Sequence, residues 1–241
     1  MACGGSDART SPSPSATFAP SETAPAVVST ATPVPSATPA PSPTPVPVRQ
    51  DILATRLSIP VLGLDAPVQT AQTVPYVYVP EPGCPPEPED AETVTVPDQG
   101  IATPADRLEG LENKAWIYGH SRWLGEPGLF FSLQDINAGD ELVLDGVERS
   151  SGETLEQLRY VVDGIYLADI DSGEDFLTAE SAADVPEEPI VVLQTSVRER
   201  GAGRAWILDR EALLAKAENL VQGDIDDPCK YLLLFVTASP V

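Results

Sequence analysis

The chain has few basic residues, no long apolar run and a single histidine. Lys and Arg total 14 against 37 Asp and Glu, so the formal net charge is −23 over 241 residues. Nucleic-acid phosphates are bound by a basic surface, and this excess of acid argues against such a partner. No apolar run reaches the ~18 residues of a membrane-spanning helix; the segment YLLLFV (231–236) is far too short. We interpret the negative charge as a source of solubility.

The first fifty residues lack most of what builds a core. They contain one aromatic residue, Phe18, and no net charge, and eleven of the 26 prolines lie between positions 12 and 47. A segment of Pro, Ser, Thr and Ala cannot bury enough apolar surface to offset its chain entropy. We therefore predict a disordered, polyproline-like linker over residues 4–50, with a reach of up to ~3.1 Å per residue. Residues 51–241 are predicted to form the folded domain.

Cysteine is scarce, and each of the three has a distinct setting. Cys84 in EPGCPPEPED and Cys229 in DDPCKYL lie in turn-like segments next to proline, as disulfide partners often do. They are the candidate disulfide pair, which an exported protein permits. The sequence cannot show that their Cα atoms come within the ~7 Å that a bridge requires.

Cys3, in MACGGSD, resembles the modified cysteine of a bacterial lipoprotein, since Ala precedes it and small residues follow it. We interpret residues 1–3 as the remnant of such an N-terminus, with Cys3 as the lipidation candidate. A lipid at Cys3 would tether the domain to the outer face of the cell membrane. Only Met1 and Ala2 precede Cys3, so a chance cysteine near the terminus is the alternative.

Short apolar or alternating segments, separated by turn residues, follow position 50. They are 54–70 (broken at Pro60 and Gly63), 92–98, 114–120, 140–146, 158–170 (interrupted at Asp163-Gly164), 189–196 and 204–210. Strands at this spacing predict an all-β barrel or sandwich.

Helical signals are few. Residues 129–136 could form a short helix or turn, and 209–223 predicts a helix with Asp209 as its N-cap and Gly223 after its end. The segments 80–104 and 147–157 are interpreted as inserted loops.

Three side chains able to do chemistry lie at the ends of predicted strands. His120 ends one strand after Gly119, Ser196 ends another, and Arg204 begins the next. A nucleophile, an imidazole and a guanidinium at one barrel rim would suit acyl transfer. An incidental or structural histidine is the alternative. Two other arginines, Arg198 and Arg200, are interpreted as solvated loop charges, and Arg200 is the second choice after Arg204 for stabilising the oxyanion.

The order of several motifs resembles the sortase family, the extracytoplasmic cysteine transpeptidases. The motifs are RLSIPVLGLDAPV, WIYGHSRW, LFFSLQDINAGDELVL, YVVDGIY, and VVLQTS followed by RAWIL, which together cover residues 54–210. The resemblance implies a closed eight-stranded β-barrel with short helices and an extracytoplasmic location. It also implies two partners, a peptide sorting motif of Leu-Pro-x-Thr-Gly type on a surface protein and an amine acceptor.

The same resemblance implies roles for individual residues. His120 matches the family's histidine, Arg204 its arginine and Thr195 its threonine, while Val192 replaces the usual first threonine. Ser196 stands in the place of the catalytic cysteine. In addition, Trp123 lies past a strand end and is expected either to line a substrate groove or to pack at the rim.

Ser196 leaves three interpretations open. Cysteine is readily held as thiolate by an imidazolium, whereas a serine must be deprotonated as it attacks, by a well-oriented base. The three are a natural sortase-like protein that has lost or strongly reduced catalysis, an engineered cysteine-to-serine substitution that silences the enzyme, and a working serine transpeptidase or hydrolase. The alternative function is a non-catalytic peptide-binding or surface-display module on a sortase fold.

The acidic segment ADIDSGEDF (168–176) only loosely resembles a calcium loop. Asp169, Asp171, Glu174 and Asp175 could supply oxygen ligands, but Gly173 falls at the wrong position for the known Ca²⁺-loop spacing. We interpret this segment as a solvated acidic turn and expect no metal and no cofactor.

Overall fold

In the computed structural model of the chain, the described residues are 51–75, 84, 92–106, 114–169, 190–198 and 209–241. Several predicted features lie outside these ranges, namely the linker 4–50, Cys3, Arg200, Arg204 and the acidic loop beyond Asp169.

The described part is built mainly of strands. They are β1 (Ile52–Ile59), β2 (Leu64–Ala71), β3 (Thr73–Pro75), β4 (Glu92–Val94), β5 (Ile101–Pro104), β6 (Lys114–Gly119), β7 (Arg122–Trp123), β8 (Glu126–Pro127), β9 (Glu141–Glu148), β10 (Thr154–Asp169), β11 (Ile190–Arg198), β12 (Glu218–Asn219) and β13 (Leu232–Pro240). One α-helix, α1 (Arg210–Lys216), and two 3-10 turns, Pro60–Leu62 and Phe131–Asp135, accompany them.

Eight of these strands close into a barrel. Their order is β10-β13-β11-β6-β5-β2-β1-β9, and β9 pairs again with β10. The pairs β6–β11 and β2–β5 are parallel, and the other neighbours around the barrel are antiparallel. Closure leaves no free edge among the eight strands. The prediction of a closed eight-stranded all-β barrel is confirmed.

Strand β11 continues past the predicted end at Ser196 to Arg198, and it is apolar on both faces because both faces are covered. Val191 and Leu193 of β11 point into the barrel, where they join fully buried residues such as Leu144 and Leu167. The alternate residues, Ile190 and Val192, lie in a second cluster on the outer surface, with Phe235 of β13 and Trp116 of β6. A strand buried on both faces is expected to show a continuous apolar run rather than alternation.

Several local predictions need correction. Helix α1 has Asp209 as its N-cap, as predicted, but it ends at Lys216 because Glu218–Asn219 pairs with β10. The predicted break at Asp163-Gly164 is a register shift inside one continuous strand, β10. Residues 147–157 are largely strand rather than an inserted loop.

Strand β13 lies outside the segment that the sequence resemblance covers, yet it is central to the barrel. It pairs with both β10 and β11, and Leu232, Leu234 and Val236 are fully buried. Burying one such side chain stabilises a fold by about 1.5–3 kcal/mol. The described part contains no helix long and apolar enough to cross a membrane.

Candidate active site

The relative position of His120 and Ser196 follows from the register of two neighbouring parallel strands. Gln194 of β11 lies beside Tyr118 of β6. The same offset continued along both strands brings Thr195 beside Gly119 and Ser196 beside His120. Neighbouring strands are about 4.8 Å apart, so these two residues lie at the same end of the barrel, which we call the rim.

Two buried hydroxyl groups hold the ends of β6 and β11 together. The Thr195 Oγ1 donates a hydrogen bond to the Gly119 carbonyl at 2.8 Å, and the Ser121 Oγ donates to the Ser196 carbonyl. Thr195 is 2% exposed and Ser121 is fully buried. Ser121 was missed by the sequence reasoning, although its position directly after the only histidine was an available signal.

The side chains of Ser196 and His120 share the outer face of the barrel. Residues alternate between the two faces of a strand, so Ser196 lies on the face of Val192, and His120 on that of Trp116. Directly after Ser196 the pairing with β13 shifts by one residue, which marks a β-bulge. Bulges are frequent next to active sites because they re-aim a side chain.

Two glycines allow the backbone to pack tightly around His120. A Cβ on Gly119 would lie 2.8 Å from the Ile101 Cγ2, and one on Gly128 would lie 2.1 Å from the His120 carbonyl oxygen. The backbone NH of Phe130 donates to that same carbonyl at 3.2 Å. The Gly-His dipeptide therefore reflects a close approach that a larger residue could not make.

The imidazole of His120 lies next to the ring of Trp123 and is partly buried. The ring centroids of His120 and Trp123 are 4.5 Å apart at an interplanar angle of 31°. Burial lowers the pKa of His120, and this shift is opposed by the charge of Asp98 and by a hydrogen bond to the Val96 backbone. With its pKa below the usual value near 6.5, the imidazole is mainly neutral at neutral pH and can accept a proton.

Trp123 and Arg122 belong to a short hairpin, β7–β8, next to the rim. Trp123 is 37% exposed, and the turn residues Leu124 (φ 50°) and Gly125 (φ 89°) are both left-handed. The Arg122 guanidinium donates to the Gly125 carbonyl at 3.3 Å and lies 5.0 Å from the centroid of the Phe131 ring. One of these two contacts of Arg122 lies within the hairpin and the other lies in the 3-10 turn that follows it.

A disulfide connects the excursion between β3 and β4 to the segment before β13. Cys84 and Cys229 are joined at an S–S distance of 2.08 Å and a Cα–Cα distance of 5.2 Å. No group of three or more His, Cys, Asp and Glu side chains in the described ranges is placed to hold a metal ion.

The sequence matches no protein-family model and no curated protein. Among solved structures, the chain is similar to the SrtA sortase from Actinomyces oris, with 16% identity, a TM-score of 0.42, and coverage of 81% of this chain and 86% of that one. It is similar to a lid mutant of sortase C1 from Streptococcus agalactiae, with 15% identity, a TM-score of 0.39, and coverage of 77% and 68%.

A third similar structure is sortase E1 from Streptomyces coelicolor with a tripeptide in its active site. It shares 12% identity and a TM-score of 0.37, over 79% of this chain and 91% of that one. All three of these solved structures are sortases, the family that the sequence motifs resemble. Such likeness says nothing about chemistry, which depends on the residues at the site.

Proposed function

We propose that this protein is a sortase-like acyltransferase that binds a peptide along the outer face of the barrel and cleaves it with Ser196. The observation that carries this proposal is the parallel register of β6 and β11, whose last pair is Tyr118 with Gln194 and which, continued by two residues, brings His120 beside Ser196. The two buried hydroxyl bonds from Thr195 and Ser121 support it, because they fix the relative height of the two strand ends.

The proposed chemistry proceeds in two balanced steps. The Ser196 hydroxyl attacks the scissile carbonyl while His120 takes its proton, and His120 then protonates the departing amine as the peptide bond breaks. In the second step an acceptor amine attacks the acyl-serine ester and loses a proton to His120. The ester bond breaks, and the Ser196 oxygen recovers its proton from His120.

The neutral state of His120 favours this chemistry. A serine needs a base that is free to accept a proton, and burial keeps the pKa of His120 below its usual value. The oxyanion formed in each step needs a cationic or N–H donor. We assign that role to Arg204, on the basis of the sequence resemblance.

Two unpartnered polar atoms support binding of a peptide. The Tyr118 hydroxyl and the Gln194 Oε1 are buried and have no hydrogen-bond partner within the described ranges. Each lies two residues before His120 or Ser196 and therefore on the same face. Buried polar groups are normally satisfied, and the backbone of an extended peptide would offer both donors and acceptors there. Trp123 would line the same groove.

A second candidate function is peptide binding without cleavage. Ser196 is only 7% exposed, and a nucleophile with so little access to solvent needs a rearrangement before it can attack. In this case the groove and its polar atoms remain useful, whereas the hydroxyl is a structural part of the strand end.

The deciding experiment incubates a Leu-Pro-x-Thr-Gly peptide and a primary amine with the native protein and three variants, Ser196→Ala, Ser196→Cys and His120→Ala. Ser150→Ala is the control, because Ser150 lies in an exposed turn. Mass spectrometry should detect transfer by the native protein and the control, with a loss of at least about 1,000-fold in Ser196→Ala and His120→Ala.

Other outcomes would assign the protein differently. Full activity in Ser196→Ala would refute the proposed chemistry. Activity in Ser196→Cys alone would show that the native serine form is silenced, and peptide binding without cleavage by all forms would favour the binding module.

We further propose that the domain is exported and held at the outer face of the membrane by a lipid on Cys3 and by the linker 4–50. The Cys84–Cys229 disulfide supports export, since such bridges persist in oxidising compartments. Mass spectrometry of the membrane fraction should find the lipid in the native chain and not in Cys3→Ser.

A further inference from the structure

Residues 94–100, from the last residue of β4 to the residue before β5, form a segment across the outer face of the barrel that we call the strap. Val94 and Val96 pack against the cluster of Ala71, Ala102 and Tyr118. The strap therefore has its own apolar attachment to the barrel.

The strap enters the barrel directly beside His120. In the antiparallel pair β5–β6, Ile101 lies opposite Gly119, so one further step brings Gly100 opposite His120. On the other side of β6, the parallel register brings Ser196 beside the same residue. Gly100, His120 and Ser196 thus form one row across three neighbouring strands, with His120 in the middle.

Two parts of the strap act on the imidazole of His120. The backbone of Val96 and the negative charge of Asp98 oppose the effect of burial on its pKa. Both favour the protonated ring and therefore raise the pKa of His120, which is the sign expected for a carbonyl acceptor and a nearby carboxylate. On the neighbouring hairpin, Arg122 is directed to Gly125 and Phe131.

A serine nucleophile requires such an orienting element. A neutral imidazole has one N–H and one lone pair, and the partner of the N–H determines which nitrogen can act as the base. An acidic residue behind the imidazole also stabilises the imidazolium that forms when the serine loses its proton. A thiolate nucleophile has less need of this assistance, because the proton has already left the sulfur.

We propose that the strap positions His120 for general-base catalysis, with the Val96 carbonyl holding the ring N–H and Asp98 stabilising the imidazolium. Asp98 is then a positioning residue that acts through His120 on Ser196. This inference rests on the proposed function for its purpose in catalysis, although the contact between strap and imidazole can be tested without any activity.

The test uses the fact that the chain has one histidine. NMR of the imidazole in the full-length protein can follow both its titration and its tautomer without assignment of other histidines. We compare Asp98→Asn with Asp106→Asn, a matched control with the same loss of charge from an exposed aspartate on the other side of β5. Asp98→Glu serves as the conservative variant.

We expect Asp98→Asn to lower the pKa of His120 and to increase the minor tautomer, whereas Asp106→Asn and Asp98→Glu remain close to the native protein. Because Asp98 is exposed, added salt should reduce the difference between native and Asp98→Asn. Equal titration curves for Asp98→Asn and Asp106→Asn at low salt would overturn the proposal.

The outcomes separate this inference from the proposed function. If Asp98→Asn shifts the His120 titration but Ser196→Ala has no effect on peptide transfer, the positioning stands and the proposed function falls. If Ser196-dependent transfer occurs, Asp98→Asn should lower kcat with little change in KM and shift the acid limb of the pH profile to lower pH. An unchanged kcat and pH profile would refute the catalytic role of Asp98.

Discussion

Removal of the Cys84–Cys229 disulfide is expected to cost a large part of the stability of the domain. The bridge joins residues 145 positions apart. In the chain-entropy treatment, a loop of that length restricts the unfolded state by about 5 kcal/mol. Loss of a native bridge usually costs ~2–5 kcal/mol, and the long loop predicts a value in the upper half of that range.

The measurement is urea unfolding followed by tryptophan fluorescence. The double variant Cys84→Ser/Cys229→Ser is compared with the native protein, and Cys3→Ser is the control because it removes a thiol without breaking this bridge. With a urea m-value of about 2 kcal/mol/M, a loss of 3–5 kcal/mol moves the midpoint down by about 1.5–2.5 M.

By the same reasoning, reducing the disulfide of the native protein should lower its stability as much as the double variant does. Reduced native protein should unfold at the midpoint of the variant, and the variant itself should not respond to reductant. If peptide mapping shows the bridge to be formed in the native protein and its removal costs less than about 1 kcal/mol, then residual structure in the unfolded chain outweighs loop closure. The entropic reasoning would then be wrong for this domain.

Three further predictions concern the rim. Thr195→Val should lower the free energy of unfolding by about 1–3 kcal/mol, because it leaves the buried Gly119 carbonyl without its 2.8 Å hydrogen bond. The control Thr70→Val, at an exposed position, should lower it much less in the same urea assay. Gly128→Ala should cost more than about 2 kcal/mol and disturb the His120 NMR signals, since its Cβ would lie 2.1 Å from the His120 carbonyl oxygen. A loss as small as that of Gly152→Ala, where no atom lies within 4 Å of the added Cβ, would contradict this. Burial lowers the pKa of His120 in the folded state. The neutral imidazole therefore contributes stability above the unfolded pKa of ~6.5, and this contribution is lost as the pH falls through the folded pKa. Between pH 8 and 5 the free energy of unfolding should fall less steeply in His120→Gln than in the native protein.

The sequence predicted the barrel well because its strands have strong local signals. Pro60 begins a 3-10 turn and Gly63 closes it at φ 63°, which separates β1 from β2 where the pattern indicated. Asp209 caps α1 through a 3.0 Å bond from the Ala212 backbone NH. Each of these features depends on residues a few positions apart, so local chemistry is enough to specify it.

The errors arose where distant segments decide the local structure. The pattern 209–223 is helical, yet the chain leaves the helix after Lys216 to pair with β10. Asp163-Gly164 has the composition of a turn. The Asp163 carboxylate instead accepts hydrogen bonds from Thr237 and Ser239 of β13, which keeps β10 continuous through the register shift.

In the candidate site, too, some residues could be predicted from local sequence and others depend on distant segments. His120, Ser196 and Thr195 were predicted from strand ends and family motifs, and the parallel register of β6 and β11 brings the three positions close together. Asp98 could not be found, since it belongs to an acidic, Pro-rich segment in which no spacing distinguishes one carboxylate from another. Only the pairing of Ile101 with Gly119 brings that segment to the imidazole.

The strap and the serine together suggest one consistent chemical account of the rim. Replacing a thiol by a hydroxyl removes the easily ionised group, so proton transfer must occur during the attack and the base must be neutral and oriented. Burial lowers the pKa of His120, and the Val96 backbone and the charge of Asp98 oppose that shift. The proposal assigns the orientation of the imidazole to Val96 and the stabilisation of its charged form to Asp98. The native chain should therefore lose transfer activity in Asp98→Asn, whereas a Ser196→Cys form, which depends less on the base, should lose less.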